Sequence, residues 1–277
     1  MEKVTRILTI QDVSCVGQCS LTVALPIISA CGIEASVLPS SVLSTHTGGF
    51  KGFTFRDLTE DMPAIEKHWI SEGLKFDAFY TGYVSEGQID YILSIMDSCA
   101  NEGALRIVDP AMADNGKLYV GFGEDFPRKM AKLCRGADYI IPNLTEAALL
   151  LGQEPVLSGY GQEYIELLLR QLTTLGAKNI ILTGVSFDEN DLGVATYDGK
   201  EVKYYFNAKI PRMSHGTGDV FASAFTGALM RGADADKAAA IAADFVCESI
   251  KATPEEHTYG VCFEQAIPTL VDAIGKI

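Results

Sequence analysis

Strand-like and helix-like stretches alternate over the first two-thirds of the chain, and that rhythm restricts the fold more than any single residue does. Apolar runs at residues 6–10, 35–38, 78–80, 105–108, 139–141 and 179–182 have strand character. Between them, residues 20–30, 62–73, 89–96, a stretch ending near 134, one opening at 143 and another over 162–175 keep helical spacing. Within 62–73, Ile65, Trp69 and Ile70 fall on one face. Strands alternating with helices imply βαβ units, hence a mainly parallel sheet with helices on both faces. The rhythm then changes. Residues 193–197 and 202–206 flank Asp198-Gly199, a hairpin-turn dipeptide. Helical stretches at about 219–230, 236–250 and 263–274 complete the chain. The expected fold is three-layer α/β/α with the hairpin at one edge. No linker, repeat or low-complexity tract interrupts it, so one domain over residues 1–277 is expected.

Charge narrows the partners. With 36 acidic against 22 basic residues the chain carries a formal charge of −14. That excludes the basic stripe a nucleic-acid surface needs and disfavours an anionic membrane. An anionic ligand must therefore be held by local donors or a metal rather than by the global field. The seven cysteines form no CxxC pair, and Cys15 and Cys19 are the only close ones, which reads as reduced thiols. No apolar run approaches the roughly 18 residues of a membrane span. A soluble, cytoplasmic protein is expected.

Polar residues recur where the strand-like runs stop: Asp12, Thr47, Tyr83, Asp109, Asn143 with Glu146, and Thr183. Ligands of open parallel sheets bind beyond the carboxyl ends of strands, so these segments are expected to converge. Asp109, Asp114 and Glu146, with Asn143, offer oxygen ligands suited to Mg²⁺. Asn143 fits a plain N-cap equally well. Late in the chain, Ser214-His215-Gly216-Thr217-Gly218-Asp219 runs into a small-residue helix. A Gly-Thr-Gly turn lets backbone N–H groups crowd toward one point, and a helix beginning at Asp219 adds its own N–H groups and dipole. An anion hole beside a carboxylate base suits phosphoryl transfer to a hydroxyl. The competing reading makes Thr217 or Asp219 an ordinary helix cap. His46 and His215 flank this candidate site, whereas His68 reads as a surface residue and His257 carries no signal.

Other templates fail. There is no GxxxxGK[ST] P-loop, the dinucleotide fingerprint is matched only in its first two glycines, and no Cys/His cluster has zinc spacing.

The late Gly216-Thr217-Gly218-Asp219 turn resembles that of the ribokinase-like superfamily of small-molecule kinases. The chain is most similar to its pyridoxal (vitamin B6) kinases. The supporting stretches are Leu8-Thr9-Ile10-Gln11, His46-Thr47-Gly48, Thr81-Gly82-Tyr83, Asp109-Pro110-Ala111-Met112-Ala113-Asp114 and Pro142-Asn143-Leu144-Thr145-Glu146. The resemblance implies transfer of the ATP γ-phosphate to the 5′-hydroxymethyl of a B6 vitamer. Asp219 would be the base, and Gly216, Thr217 and Gly218 the anion hole. Asp109, Asp114, Asn143 and Glu146 would organise Mg²⁺, directly or through water, with Asn143, Glu146 and Thr183 serving the Mg·ATP phosphates. Asp12, His46, Thr47 and Tyr83 would line the vitamer pocket. The family is commonly homodimeric with a flap over ATP, here the loop after Ala113 or residues 185–190. Dependence on a monovalent cation is left open.

Three positions depart from that pattern. Asp12 stands where these kinases usually have serine, Ser20-Leu21 replaces a glycine-asparagine pair, and Ile141 replaces a threonine. His215 points to a sister branch, the hydroxymethylpyrimidine kinases of thiamin synthesis, in which a cysteine commonly follows the turn where this chain has Asp219. That branch is the second reading, a sugar or nucleoside kinase the third. A non-catalytic vitamer-binding protein is a further alternative; it predicts loss of Asp219, Asp109 or Glu146, all of which are present.

Overall fold

The computed structural model describes residues 4–212 and 214–277, so the first three residues of the strand-like start lie outside the described residues. In chain order the elements are β1 (Arg6–Ser14), α1 (Leu21–Ala30), β2 (Glu34–Leu43), β3 (Phe55–Asp57), α2 (Met62–Ser71), β4 (Phe76–Thr81), α3 (Ile89–Ser98), β5 (Ala100–Val108), β6 (Ala113–Asp114), β7 (Lys117–Leu118), α4 (Phe126–Cys134), β8 (Tyr139–Ile140), α5 (Leu144–Leu150), α6 (Gln162–Leu172), β9 (Asn179–Val185), β10 (Asp191–Tyr197), β11 (Val202–Ala208), α7 (Thr217–Met230), α8 (Ala235–Ala252) and α9 (Ile267–Ile274). The architecture is three-layer α/β/α with a mainly parallel sheet and a late antiparallel hairpin, as the sequence rhythm implies. Two compact units divide the chain: the described residues up to Leu105 join Ile210–Ile277 in one, and Arg106–Lys209 form the other.

In the first unit β1 pairs in parallel with β2 on one side and β4 on the other, while β3 runs antiparallel along β2. Ile7, Leu8 and Ile10 of β1 are fully buried, which accounts for a continuous apolar run rather than an alternating one. Helix α7 buries every residue from Val220 to Leu229 and packs on α1 and α8. Its small residues permit that approach. At Gly227 an added Cβ would lie 2.4 Å from the Cys31 Sγ, so glycine is required by packing rather than by backbone conformation.

In the second unit β8 lies parallel between β5 and β9, and β10 runs antiparallel to both β9 and β11. Helix α6 turns Ile165, Leu168, Leu169 and Leu172 inward, the spacing of an amphipathic helix.

Several boundaries differ from expectation. Strand β2 continues well beyond residue 38, so Ser40 and Ser41 lie inside a strand. The polar groups of Ser40 are satisfied there: its Oγ donates to the Tyr83 carbonyl at 2.8 Å, and Gln88 Nε2 donates to its carbonyl at 2.7 Å, whereas the buried Ser41 hydroxyl has no partner among the described residues. Ile70 does not join the apolar face on α2; it is 53% exposed, whereas Met62 is buried and Ile65 and Trp69 are half-buried, Trp69 lying edge-on to Phe76. The polar stretch after residue 113 contains a short hairpin, β6–β7.

Alanine at position 227 gains up to about 1 kcal/mol of helix propensity but overpacks the α1–α7 contact by about 1–3 kcal/mol. Gly227→Ala is therefore expected to lower unfolding stability, and Cys31→Ala in the same chain to recover most of the loss, as read by urea denaturation.

Candidate active site

The Gly-Thr-Gly-Asp turn differs from both readings of it. Helix α7 starts at Thr217, two residues before the expected start, and its N-cap is Gly216 in a left-handed conformation (φ 78°, ψ 0°). No side chain caps the helix, so neither Thr217 nor Asp219 does the work of an ordinary cap. Asp219 is instead the third helical residue, where the dipole favours its charged form. Gly216 is required twice over: its φ is positive, and an added Cβ would lie 1.8 Å from the Gln18 carbonyl oxygen. At Gly218 an added Cβ would meet no atom within 4 Å.

The segment against which this turn rests is itself held in place. Gln18 N–H donates to the Tyr259 carbonyl at 2.9 Å, and Gln18 Nε2 to Glu264 Oε1 at 2.6 Å. The Arg212 guanidinium donates to the carbonyls of Thr253, Pro254 and His257, fastening the chain that enters the turn to the end of α8.

Asp12 lies inside β1 rather than beyond it, because that strand runs to Ser14. It is 4% exposed, and Ser14 Oγ donates to its Oδ2 at 2.9 Å. Burial raises its carboxyl above the usual range, against the opposing pull of Ser20 and Ser14. Burial likewise pushes Asp219 up to about 7, with the Ser20 N–H opposing and the Asp12 charge adding to the rise. The Tyr83 hydroxyl is pushed up to about 12 by burial and by the charges of Asp12 and Asp57. Asp12, Tyr83 and Asp219 thus form one electrostatically coupled group. Cys19 belongs to it as well: burial, then the Asp219 and Asp12 charges, raise its thiol well above the ordinary value.

His46 is buried with both ring nitrogens engaged. Gly48 N–H donates to Nδ1 at 3.1 Å, which leaves Nε2 as the protonated nitrogen donating to the Tyr259 carbonyl at 3.2 Å. Burial lowers its pKa, so the ring is held neutral. Only its faces and edges remain for contact, and one edge meets Phe50 with ring centroids 4.9 Å apart. His215 packs on the same loop: a Cβ at Gly48 would lie 2.7 Å from its Nδ1, and its ring is 5.5 Å from that of His46. Thr47 sits between them, partly exposed. Gly48 therefore serves close approach to an aromatic ring, whereas Gly49 and Gly52 take positive φ (85° and 69°), and Phe50 between them stacks on Tyr259 at 5.2 Å.

A second group lies in the other unit. Asn143 caps α5 in a capping box: its Oδ1 accepts the Glu146 N–H, and Glu146 Oε2 accepts the Asn143 N–H, both at 2.9 Å. The box reaches further than a cap. Glu146 Oε1 also accepts Met112 N–H at 3.1 Å, and Asn143 Nδ2 donates to the Ala113 carbonyl at 2.8 Å. Burial pushes Glu146 up to about 8, opposed by the Asn143, Met112 and Ala113 N–H groups and reinforced by the Asp114 charge. Asp109 is buried nearby, its charge acting together with that of Glu146 on the Cys134 thiol. Asp114 is exposed and bonds Asn115 through N–H and Nδ2 at 2.8 and 2.9 Å, shaping the β6–β7 turn. Thr183, within β9, is bridged to Asn143 and donates its N–H to the Pro142 carbonyl at 2.9 Å. Among the described residues, no three His, Cys, Asp or Glu side chains gather closely enough to hold a metal ion by themselves. The donor set is all oxygen, which suits Mg²⁺ held by one or two carboxylates, waters and substrate phosphates.

Sequence reasoning missed Ser14, Ser20, Gln18 and Tyr259. Ser14 had a signal, since a spacing of two on a strand places it on the face of Asp12. Ser20 stood out only as a departure from a family pattern.

The Phosphomethylpyrimidine kinase family model matches residues 25–261. The chain belongs to that family. A Bacteroides thetaiotaomicron protein, crystallised with pyridoxal and described as a candidate phosphomethylpyrimidine kinase, is 35% identical with a TM-score of 0.91, the match covering 97% of this chain and 96% of that one. Pyridoxal kinase from Lactobacillus plantarum is 30% identical with a TM-score of 0.89, covering 98% of each chain. Pyridoxine kinase from Bacillus subtilis is 28% identical over 186 residues, 66% of either chain. This family member is an ATP-dependent kinase of the ribokinase-like superfamily acting on a small metabolite of the B6 or thiamin type. The matching family is the branch ranked second on sequence. No helix among the described residues is long and apolar enough to cross a membrane.

Gly216→Ala is expected to cost about 2 kcal/mol or more, from the left-handed strain and the clash with a backbone oxygen. Gly218→Ala meets no neighbour and should leave the melting temperature nearly unchanged. Calorimetry on the two variants checks the contrast.

Proposed function

We propose that this family member phosphorylates the hydroxymethyl group of a nitrogen heteroaromatic ring, with Asp219 as the base. The observation that carries this is a carboxylate in the first turn of α7, directly behind a left-handed glycine turn, with its pKa pushed up to about 7. A base near neutrality both exists deprotonated at working pH and accepts a hydroxyl proton readily. The N–H groups of Gly216, Thr217 and Gly218, at the start of α7, would receive the charge that develops on the moving phosphoryl group. Asp109 and Glu146 would hold Mg²⁺, directly or through water, with Asp114 contributing charge, and Asn143 and Thr183 would serve the nucleotide phosphates. Bound Mg²⁺ supplies neutralisation of phosphate charge. Glu146 and Asn143 keep the 112–113 backbone in place for it.

The family match favours hydroxymethylpyrimidine as the substrate. A B6 vitamer is the second reading, favoured by the pyridoxal-bound relative and by an aspartate at position 219 where the pyrimidine branch commonly has cysteine. Asp12 bears on both. A buried carboxylate held by the Ser14 hydroxyl attracts an amino group on the ring, as hydroxymethylpyrimidine and pyridoxamine carry. Its charge disfavours the aldehyde of pyridoxal by comparison. Homodimerisation, as in the related kinases, belongs to the same proposal.

ADP release with Mg·ATP and hydroxymethylpyrimidine, pyridoxamine, pyridoxine or pyridoxal in separate reactions tests the reading. Turnover with at least one is expected, and binding without turnover would support a vitamer-binding protein instead. Asp219→Asn should lower kcat by about 10²–10⁴-fold with ATP affinity nearly unchanged; near-normal kcat removes Asp219 as the base. Because the base must be deprotonated, kcat/KM should fall on the acid side of about pH 7, and Asp12→Asn, which removes a neighbouring like charge, should move that limb to lower pH. Asp12→Ser should shift preference from pyridoxamine toward pyridoxal, and an unchanged order of kcat/KM would exclude the amino-group role.

A further inference from the structure

The loop that follows β2 is tied down at more points than a surface loop needs. At its base Ser44 N–H donates to the Thr54 carbonyl at 3.2 Å and Thr54 N–H to Ser44 Oγ at 2.9 Å, which closes the loop on itself. Within it, His46 makes the remaining polar ties. Its backbone N–H donates to the Val16 carbonyl at 3.2 Å, and a Cβ on Gly17 would lie 2.0 Å from its ring carbon Cδ2. Nδ1 is occupied by the Gly48 N–H and Nε2 by the Tyr259 carbonyl. That carbonyl also accepts the Gln18 N–H at 2.9 Å, and the Gln18 carbonyl is the oxygen against which Gly216 turns. His215, at the entrance of the turn, completes the circuit by packing on Gly48. One imidazole thus joins the glycine loop, the Gly17 segment and the Tyr259 segment, and through Gln18 it reaches the turn that starts α7. A neutral ring with both nitrogens in use has none left for a substrate.

We infer that His46 is a positioning residue and not a ring contact: it fastens the 46–50 loop, and Thr47 with it, to the Gln18 anchor of the Gly216 turn. The inference rests on the proposed function, since it takes that turn and Asp219 as the transfer centre and Thr47 as part of the ring pocket. Only one form of the imidazole serves. Nδ1 must keep its lone pair for the Gly48 N–H, and a proton there sets two N–H donors face to face and cancels the bond. The titratable groups on the elements packed against His46 are His215, Cys15 and Cys19 beside Gly17, and Tyr259 with His257 edge-on to its ring. Of these, His215 has its ring 5.5 Å away, and its charge opposes a second one on His46. Burial acts in the same direction. The unfolded chain therefore takes up the proton first: the latch contributes its full stability above about pH 6.5 and loses it as the pH falls toward the lower folded value.

Long-range ¹H–¹⁵N spectra of the parent chain near neutral pH are expected to show His46 as the Nε2–H tautomer, unchanged by saturating hydroxymethylpyrimidine or pyridoxamine. The Nδ1–H tautomer, or a ring nitrogen that changes partner when either compound binds, overturns the inference. On acidification the Gly48 amide signal should move with the midpoint of His46. In His46→Asn, whose Oδ1 takes the place of Nδ1, the component with that midpoint should vanish; its persistence overturns the inference as well. The Ser44–Thr54 pair and the Phe50–Tyr259 stack still hold the loop in such variants, so they are expected to fold. His46→Asn keeps an acceptor for Gly48, His46→Gln keeps a donor for Tyr259, and His46→Ala keeps neither. KM for the accepted hydroxymethyl compound should rise about tenfold in His46→Ala and stay within about threefold in the other two, with KM for ATP nearly unchanged in all. Equal losses in all three, or none in His46→Ala, overturn the positioning role. Asp219→Asn measured alongside keeps the failures apart. Lost turnover there beside parent-like KM in His46→Ala removes only the positioning role. Retained turnover in Asp219→Asn, or no binding of either compound to the parent chain, removes the functional reading and this inference with it.

Discussion

The contact on which the first unit's candidate site depends is that between Gly216 and the Gln18 carbonyl. Two stretches of backbone far apart in sequence approach so closely that no side-chain carbon fits between them. Once they meet, much else follows. The left-handed glycine starts α7 at Thr217, and that start sets Asp219 in the first turn. Gln18 can serve as this anchor because Tyr259 and Glu264 hold it from the last part of the chain. The Tyr259 carbonyl also receives His46, so the glycine loop that follows β2 shares the same support.

Both units place carboxylates where burial works against their charge, and each compensates differently. Glu146 is held by backbone N–H groups, which are fixed dipoles. Asp12 is held by the Ser14 hydroxyl, which can rotate to donate or accept. The first arrangement suits a carboxylate whose position must not change. The second suits one whose partner differs between the free and the substrate-bound protein.

The fold was largely legible because its signal is repetitive. Apolar strand runs and amphipathic helices recur often enough that misjudging Ile70 or the length of β2 leaves the architecture intact. Local geometry was legible where residue type and spacing coincide, as at the Asn143–Glu146 pair. The capping box there is a local pattern of residue types three apart, which sequence carries directly. What was hidden depends on backbone angles and long-range contact. Nothing in the letters of residues 18–20 states that serine takes a positive φ or that Gln18 meets Gly216. His215 pointed to the sister branch that the family match also favours, but its packing against Gly48 and the ring of His46 could not be read from sequence.

The make-up of the two units bears on how the protein is made. Arg106–Lys209 is one uninterrupted stretch, and its partner unit is assembled from the two flanking stretches. On a ribosome, the middle stretch can collapse on itself as soon as it emerges, while β1, β2 and β4 wait for α7, α8 and the Tyr259 segment. During that interval the inner helical face of the early strands is uncovered, and the protein is most exposed to misassociation with other nascent chains. A chain stopped anywhere before Glu264 lacks part of the clamp on Gln18, and with it a support of the Gly216 turn.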